Sequence, residues 1–211
     1  MLRDFVSREI ETDETTVFVR SGGSGPPLLL LHGFPETHLM WRDVAPLLAQ
    51  DFTVVCADLP GYGQSGCPAS TPHHTSYSKR AMAQQLSQMM SRLGFERFSV
   101  AGHDRGGRVA YRLALDYSDH IDKLAVLDVL PVEVVWERAD ARFALAFWPW
   151  SLLAQPEPLP ERILVAAPEA IIDDALGGWG TPSSVFPPEV RDAYVEALGS
   201  AGLDVVTLLP L

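Results

Sequence analysis

Three strand-like stretches of this chain each run straight into a glycine-bearing turn: LLLLHGFPE at residues 28–36, VVCADLPGYGQSG at 54–66 and SVAGHDRGG at 99–107. Continuous apolar runs of four to eight residues, unlike the alternating pattern of a half-buried strand, point to strands covered on both faces. Helical periodicity fills the intervals. HLMWRDVAPLLAQ (38–50) and YSKRAMAQQLSQMMSRLG (77–94) carry apolar residues at helical spacing, the second closed by Gly94. RGGRVAYRLALDYSD (105–119) follows the third turn, and IDKLAVLDVLP (121–131) reads as one more strand. FVSREIE and TTVFVRS, around the polar turn TDE, predict a hairpin at the start. This alternation predicts an α/β chain with a mostly parallel, doubly wound sheet, whose sites lie at the carboxyl ends of the strands. The three turns fall at those ends.

The alternation stops at Pro131. VEVVWERADARFALAFWPWSLLAQ (132–155) is aromatic-rich and helical, and the rest is broken by PEPLP, GGWGTPSS and FPPE. Two parts are therefore expected: an α/β core over 1–131 and a helical lid over 132–211. At 211 residues and 47% apolar, the chain can bury a real core. A net charge of −11 repels nucleic acid and anionic membrane, so neither is an expected partner, and an anionic substrate needs a local basic pocket. Cys56 and Cys67 are too few for a disulfide scaffold or a zinc site. No signal-peptide centre or spanning segment is visible, so a cytoplasmic location is expected.

Gly102-His103-Asp104-Arg105-Gly106 has the form of a nucleophile elbow, a sharp strand-to-helix turn holding its central side chain exposed; an N-capping Asp is the plainer reading of the same residues. His32-Gly33-Phe34-Pro35 can point backbone N–H groups into the site as an oxyanion hole. With the third turn, these motifs in this order resemble the α/β-hydrolase family. An Asp nucleophile behind H-G-F-P-E resembles its epoxide hydrolase and dehalogenase branch. Epoxide hydrolases and haloalkane dehalogenases usually carry Trp after the nucleophile, where this chain has Arg105. Asp104 to Arg108, with RVAYRLALDYSD, VLDVLP and WSLLAQPEPLPE, is similar to the haloacetate dehalogenases, the fluoroacetate dehalogenases among them.

Arg105 and Arg108, three apart on the first turn of a helix, could grip a substrate carboxylate with two guanidinium forks. Cations at a helix N-terminus oppose its dipole, so helix stability does not explain them. A carboxylate nucleophile suits displacement of halide from saturated carbon, leaving an ester that water can cleave. The resemblance implies Asp104 as nucleophile, the Phe34 backbone in the oxyanion hole, Asp128 as the acid orienting a histidine, and Trp150 as halide donor. It implies no cofactor and no metal. Pro149 stands where the family has a histidine donor, which favours chloride or bromide over fluoride.

In the resembling family the catalytic histidine lies beyond position 211, and the tail GSAGLDVVTLLPL does not read like the next lid helix. His32, His38, His103 and His120 are expected to serve elsewhere, His103 pointing away from the site, and His73 and His74 lie in a loop on the correct side. The chain thus resembles a truncated dehalogenase that stops at the ester and whose last strand offers an unpaired edge, a homodimer being possible. An epoxide hydrolase of the same fold, or a non-catalytic fragment, are the alternatives.

Overall fold

The structure, a computed structural model, describes residues 2–69, 74–178 and 180–200. Six strands form one sheet: β1 (Val6–Glu11), β2 (Thr16–Gly22), β3 (Pro27–Leu31), β4 (Thr53–Ala57), β5 (Phe98–His103) and β6 (Ile121–Leu127), in the order β1-β2-β4-β3-β5-β6. β1–β2 and β2–β4 are antiparallel; the pairings of β3 with β4 and β5, and of β5 with β6, are parallel. The chain goes from β3 outward to β4 and returns on the other side to β5. The crevice between the carboxyl ends of β3 and β5 is thus the point where strand order reverses, where such sheets bind ligands.

Strand β3 shows why an unbroken leucine run fits here. Leu29 and Leu31 join one buried cluster with Val55, Ala57, Met82, Leu86 and Val109; Leu28 and Leu30 join another, on the opposite face, with Val54, Cys56, Trp41 and Ala45. Successive strand residues point to opposite faces, so both sides must be apolar. Each such side chain taken from water contributes about 1.5–3 kcal/mol. The first cluster is roofed by α2 (Lys79–Arg92), whose N-cap Ser78 accepts from the Ala81 amide, and by α3 (Asp104–Asp116).

The helix expected over 38–50 is instead a 3₁₀ turn, His38–Trp41, followed by the short α1 (Ala45–Leu48). Pro46 sits in the first turn of α1; further inside a helix it would lose a hydrogen bond and clash with the carbonyl four residues back. Asp58 also draws off the His38 amide, at 2.6 Å.

Beyond β6 the described elements longer than one turn are helices: α4 (Val132–Glu137), α5 (Ala141–Ala146), α6 (Trp148–Leu153), α7 (Leu159–Ala166), α8 (Pro168–Gly177) and α9 (Pro188–Ser200). The stretch 132–155, expected as helical, is three short helices. Asp140 caps α5 by accepting from the Phe143 amide, and Pro149 opens α6. The lid has its own buried cluster, including Leu153, Leu164, Ile172, Val190 and Tyr194, into which Leu39 of the core inserts and against which Phe34 packs. The tail 201–211 lies outside the described residues. No helix among them is long and apolar enough to cross a membrane.

Candidate active site

Asp104 is the last turn of the path from β5 into α3, with φ 44°. That left-handed conformation is uncommon for a residue with a Cβ and costs about 1–3 kcal/mol, which the surrounding packing must hold. The turn closes because a Cβ on Gly106 would overlap the carbonyl oxygens of His32 and Leu31, and one on Gly102 the carbonyl of Gly106. Only hydrogen at both positions lets the helix start this close to β3.

The carboxylate so presented is held at both oxygens. Oδ2 accepts from the Phe34 amide at 3.1 Å, and Oδ1 accepts from Nη1 of Arg108 at 2.9 Å. Burial alone would raise the Asp104 pKa, but Arg108, then Arg105, then the Phe34 and Arg105 amides outweigh it and hold the carboxyl below its usual range. Asp104 is ionised, as the elbow reading requires. Its side chain is still 26% exposed, toward a cavity.

Both arginines are buried, at 7% and 6% exposure. Arg105 donates from Nη1 to the Tyr62 hydroxyl at 2.8 Å and lies 5.2 Å over the Phe34 ring. Arg108 lies 4.5 Å over the Trp150 ring, and its Nε has no hydrogen-bond partner. The expected pair of forks is therefore beside Asp104, with one difference: Arg108 spends one N–H on Asp104 itself. Arg108 forms an ion pair with Asp104, while Arg105 has no ion-pair partner among the described residues.

The Phe34 turn is fixed from below. His32 accepts the Leu59 amide on Nε2 at 3.0 Å, so its proton is on Nδ1, which lies 2.8 Å from the Gly33 carbonyl. Burial lowers its pKa, more than Asp58 raises it, and the ring is a neutral strut between the first two glycine turns. Asp58 in turn holds His38 Nδ1 at 2.9 Å and the Gln64 amide at 2.9 Å.

A cavity of about 900 Å³ opens in front of Asp104, lined by Phe34, Arg105, Arg108, Asp128 and Trp150 together with lid residues. All six residues singled out in the sequence therefore meet at one site. Asp128 follows β6 with φ 46°, is exposed, and has no hydrogen bond or ion pair among the described residues. Trp150 is boxed edge-on by Trp136, at 5.7 Å, and Phe143, at 5.8 Å. Trp148 also lines the cavity, but its indole N–H is donated to Asp174 at 2.7 Å.

One expectation is corrected. His103 does not point away: it lines the cavity, with Nδ1 3.6 Å from Oε2 of Glu36. Its partnership with Glu36 raises its pKa against the opposing effect of burial. The physical reason is its place in β5: as the last, extended residue of the strand, His103 shares a face with Ser99 and Ala101 at the carboxyl end where the cavity opens. His74 forms an ion pair with Glu157 at 2.7 Å, tying its loop to the lid; His73 lies outside the described residues.

Sequence reading missed three residues here. Tyr62 sits in the third glycine turn, which was noted only for its glycines. Glu36 lies two residues past Phe34. Lys79 opens α2, and α2 packs against α3; burial first, then the positive Arg105 and Arg108, push its ammonium down to about 7 while Asp104 opposes them. An amphipathic pattern marks the helix but gives no hint that its first residue joins the site.

A doubly wound sheet with a strained acidic elbow, an amide-lined turn and a helical lid defines one class of protein. Residues 26–162 match the family described as the alpha/beta hydrolase fold, and the chain belongs to that family. A fluoroacetate dehalogenase from Burkholderia sp. is 48% identical over 195 residues, 92% of this chain and 64% of that protein. A soluble epoxide hydrolase from Corynebacterium sp. (strain C12) is 43% identical over 111 residues, 53% of this chain and 37% of its own length. The crystal structure of a Nostoc sp. PCC 7120 protein assigned to the α/β hydrolases superposes with a TM-score of 0.94 at 45% identity, covering 99% of this chain and 72% of that one. The chain thus spans under two thirds of the length of the Burkholderia relative.

Proposed function

We propose that this chain carries the nucleophilic half of a haloacid dehalogenase. A 2-haloacid places its carboxylate against Arg105 and Arg108, and an Asp104 oxygen attacks C2 from behind the carbon–halogen bond. The C–O bond forms as halide leaves with the bonding pair, giving an aspartyl ester. The observation that carries this is the pair of buried guanidinium groups beside Asp104: Arg105 has no ion-pair partner among the described residues, and Arg108 keeps an unpartnered Nε. Buried charge without a counter-charge is costly, and an anionic substrate removes that cost. The similarity to the Burkholderia fluoroacetate dehalogenase supports the same reading.

Trp150, over Arg108 and facing the cavity, is the halide donor of this proposal, and the Phe34 amide, already on Asp104, the oxyanion donor during ester cleavage. With Pro149 in the lining and no N–H to give, bromide and chloride are better leaving groups here than fluoride. Among the described residues no imidazole bonds Asp128, so the proposal takes this chain only as far as the ester. The epoxide hydrolase reading gains from the Corynebacterium relative, but a neutral epoxide gives Arg105 no counter-charge.

The test compares bromoacetate with bromoacetamide, a neutral analogue of the same shape. With bromoacetate, the chain is expected to release about one bromide per molecule and stop; bromoacetamide should react at least about 100-fold more slowly, the worth of two charge-assisted bonds. Equal rates would remove the carboxylate clamp from the account, and epoxide opening would replace it.

A further inference from the structure

We infer that the acid taken by this site carries an apolar chain on C2: a medium-chain 2-haloalkanoate rather than a haloacetate. The inference rests on the displacement proposed above and concerns what fills the remainder of the cavity. Cavities of about 300–1,000 Å³ enclose drug-sized ligands, and this one, at about 900 Å³, is far larger than a two-carbon acid.

Its chemistry is divided. The charged groups at the proposed nucleophile, Glu36, His103, Asp104, Arg105, Arg108 and Asp128, come from the core: the turn after β3, the end of β5, the start of α3 and the residue after β6. The lid supplies an apolar wall, with Val134, Phe143, Phe147, Leu153, Ile171 and Leu176 drawn from four of its helices and the link before α6. Apart from Arg138 and Thr181, that wall has few free polar groups. The Trp148 N–H and the Asp174 carboxylate satisfy each other, and Pro149 has no donor. Phe147, 41% exposed, is among the apolar residues lining the cavity. A haloacetate held at the arginines leaves that lining wet. A chain of several methylenes on C2 covers it and displaces the water, gaining free energy in proportion to the area covered.

The covalent step is unchanged: an Asp104 oxygen bonds to C2, bromide departs with the electron pair, and no proton or redox partner is needed. The test uses the wild-type chain with 2-bromopropanoate, 2-bromobutanoate, 2-bromohexanoate and 2-bromooctanoate. All four react at a secondary carbon, and each rate is divided by that of the same acid with thiosulfate in solution. The normalised second-order rate of bromide release is expected to rise about fourfold per added methylene from propanoate to hexanoate. A flat or falling series overturns the inference while leaving the displacement intact. Absence of an Asp104 adduct with all four acids overturns both.

Discussion

At Asp104 two opposing effects are resolved by charge. Burial disfavours the carboxylate, and Arg108 and Arg105 with two backbone amides favour it more strongly, so the carboxyl, the nucleophile of the proposal, titrates below its ordinary range. Because the reactive form is the ionised one, halide displacement should be flat from pH 8 down to pH 5. Removing the 2.9 Å partner in Arg108→Met should slow displacement about 10- to 100-fold and move the acid limb upward into that range, since burial then acts with less opposition. A pH-rate profile of both proteins checks it. Lys79 makes a second prediction with the opposite sign. Its folded value is about 7 against 10.5 in the unfolded chain, so between those values the unfolded state holds more protons and stability rises with pH. Lys79→Met should therefore raise the melting temperature most at pH 6, the gain shrinking toward pH 10; a constant difference would contradict it. The acid and its flanking arginines were legible in the sequence because glycines on both sides mark an elbow. Lys79 and Tyr62 were not: Tyr62 bonds Arg105, and Lys79 feels the charges of Arg105 and Arg108, across segments distant in sequence, and no spacing rule encodes that.

The elbow works because two elements approach each other without a side chain between them. A methyl on Gly106 would meet the carbonyls that end β3, which cannot move without disturbing the Phe34 turn. Gly106→Ala should cost about 1–3 kcal/mol, measured by urea unfolding, and should slow displacement more than the stability loss explains. The strands were readable from their unbroken apolar runs, and α2 and α3 from their helical spacing. The segment 38–50, expected as a helix, and the helical stretch 132–155, which is three short helices, each contain a proline within a helical pattern, Pro46 and Pro149. In both, the proline falls in the opening turn of a separate short helix, where its missing N–H costs nothing. His103 is the last residue of β5, at the carboxyl end where the cavity opens, and strand alternation puts its side chain on the Ser99 and Ala101 face, where it lines the site beside Asp104.

Across the whole molecule the sheet is unevenly covered. β4, β3 and β5 lie inside, while among the described residues β6 pairs only with β5 and leaves Leu124, Val126 and Leu127 exposed at 43%, 47% and 40%. An apolar edge of this kind templates association, so the chain is expected to self-associate at tens of micromolar, and Leu124→Lys with Val126→Lys to reverse it. Sedimentation velocity decides, and a wild-type monomer at that concentration would contradict the expectation. The lid contributes most of the apolar wall of the cavity and Trp150, whereas the core contributes every charged group next to the nucleophile. The account depends on those charges making position 104 attack saturated carbon. Tandem mass spectrometry of the bromoacetate-treated chain tests this directly. A single carboxymethyl adduct on the peptide bearing Asp104, absent from Asp104→Asn, is the expected result. Modification confined to Cys67, the histidines or any other residue, with Asp104 unlabelled, would contradict it.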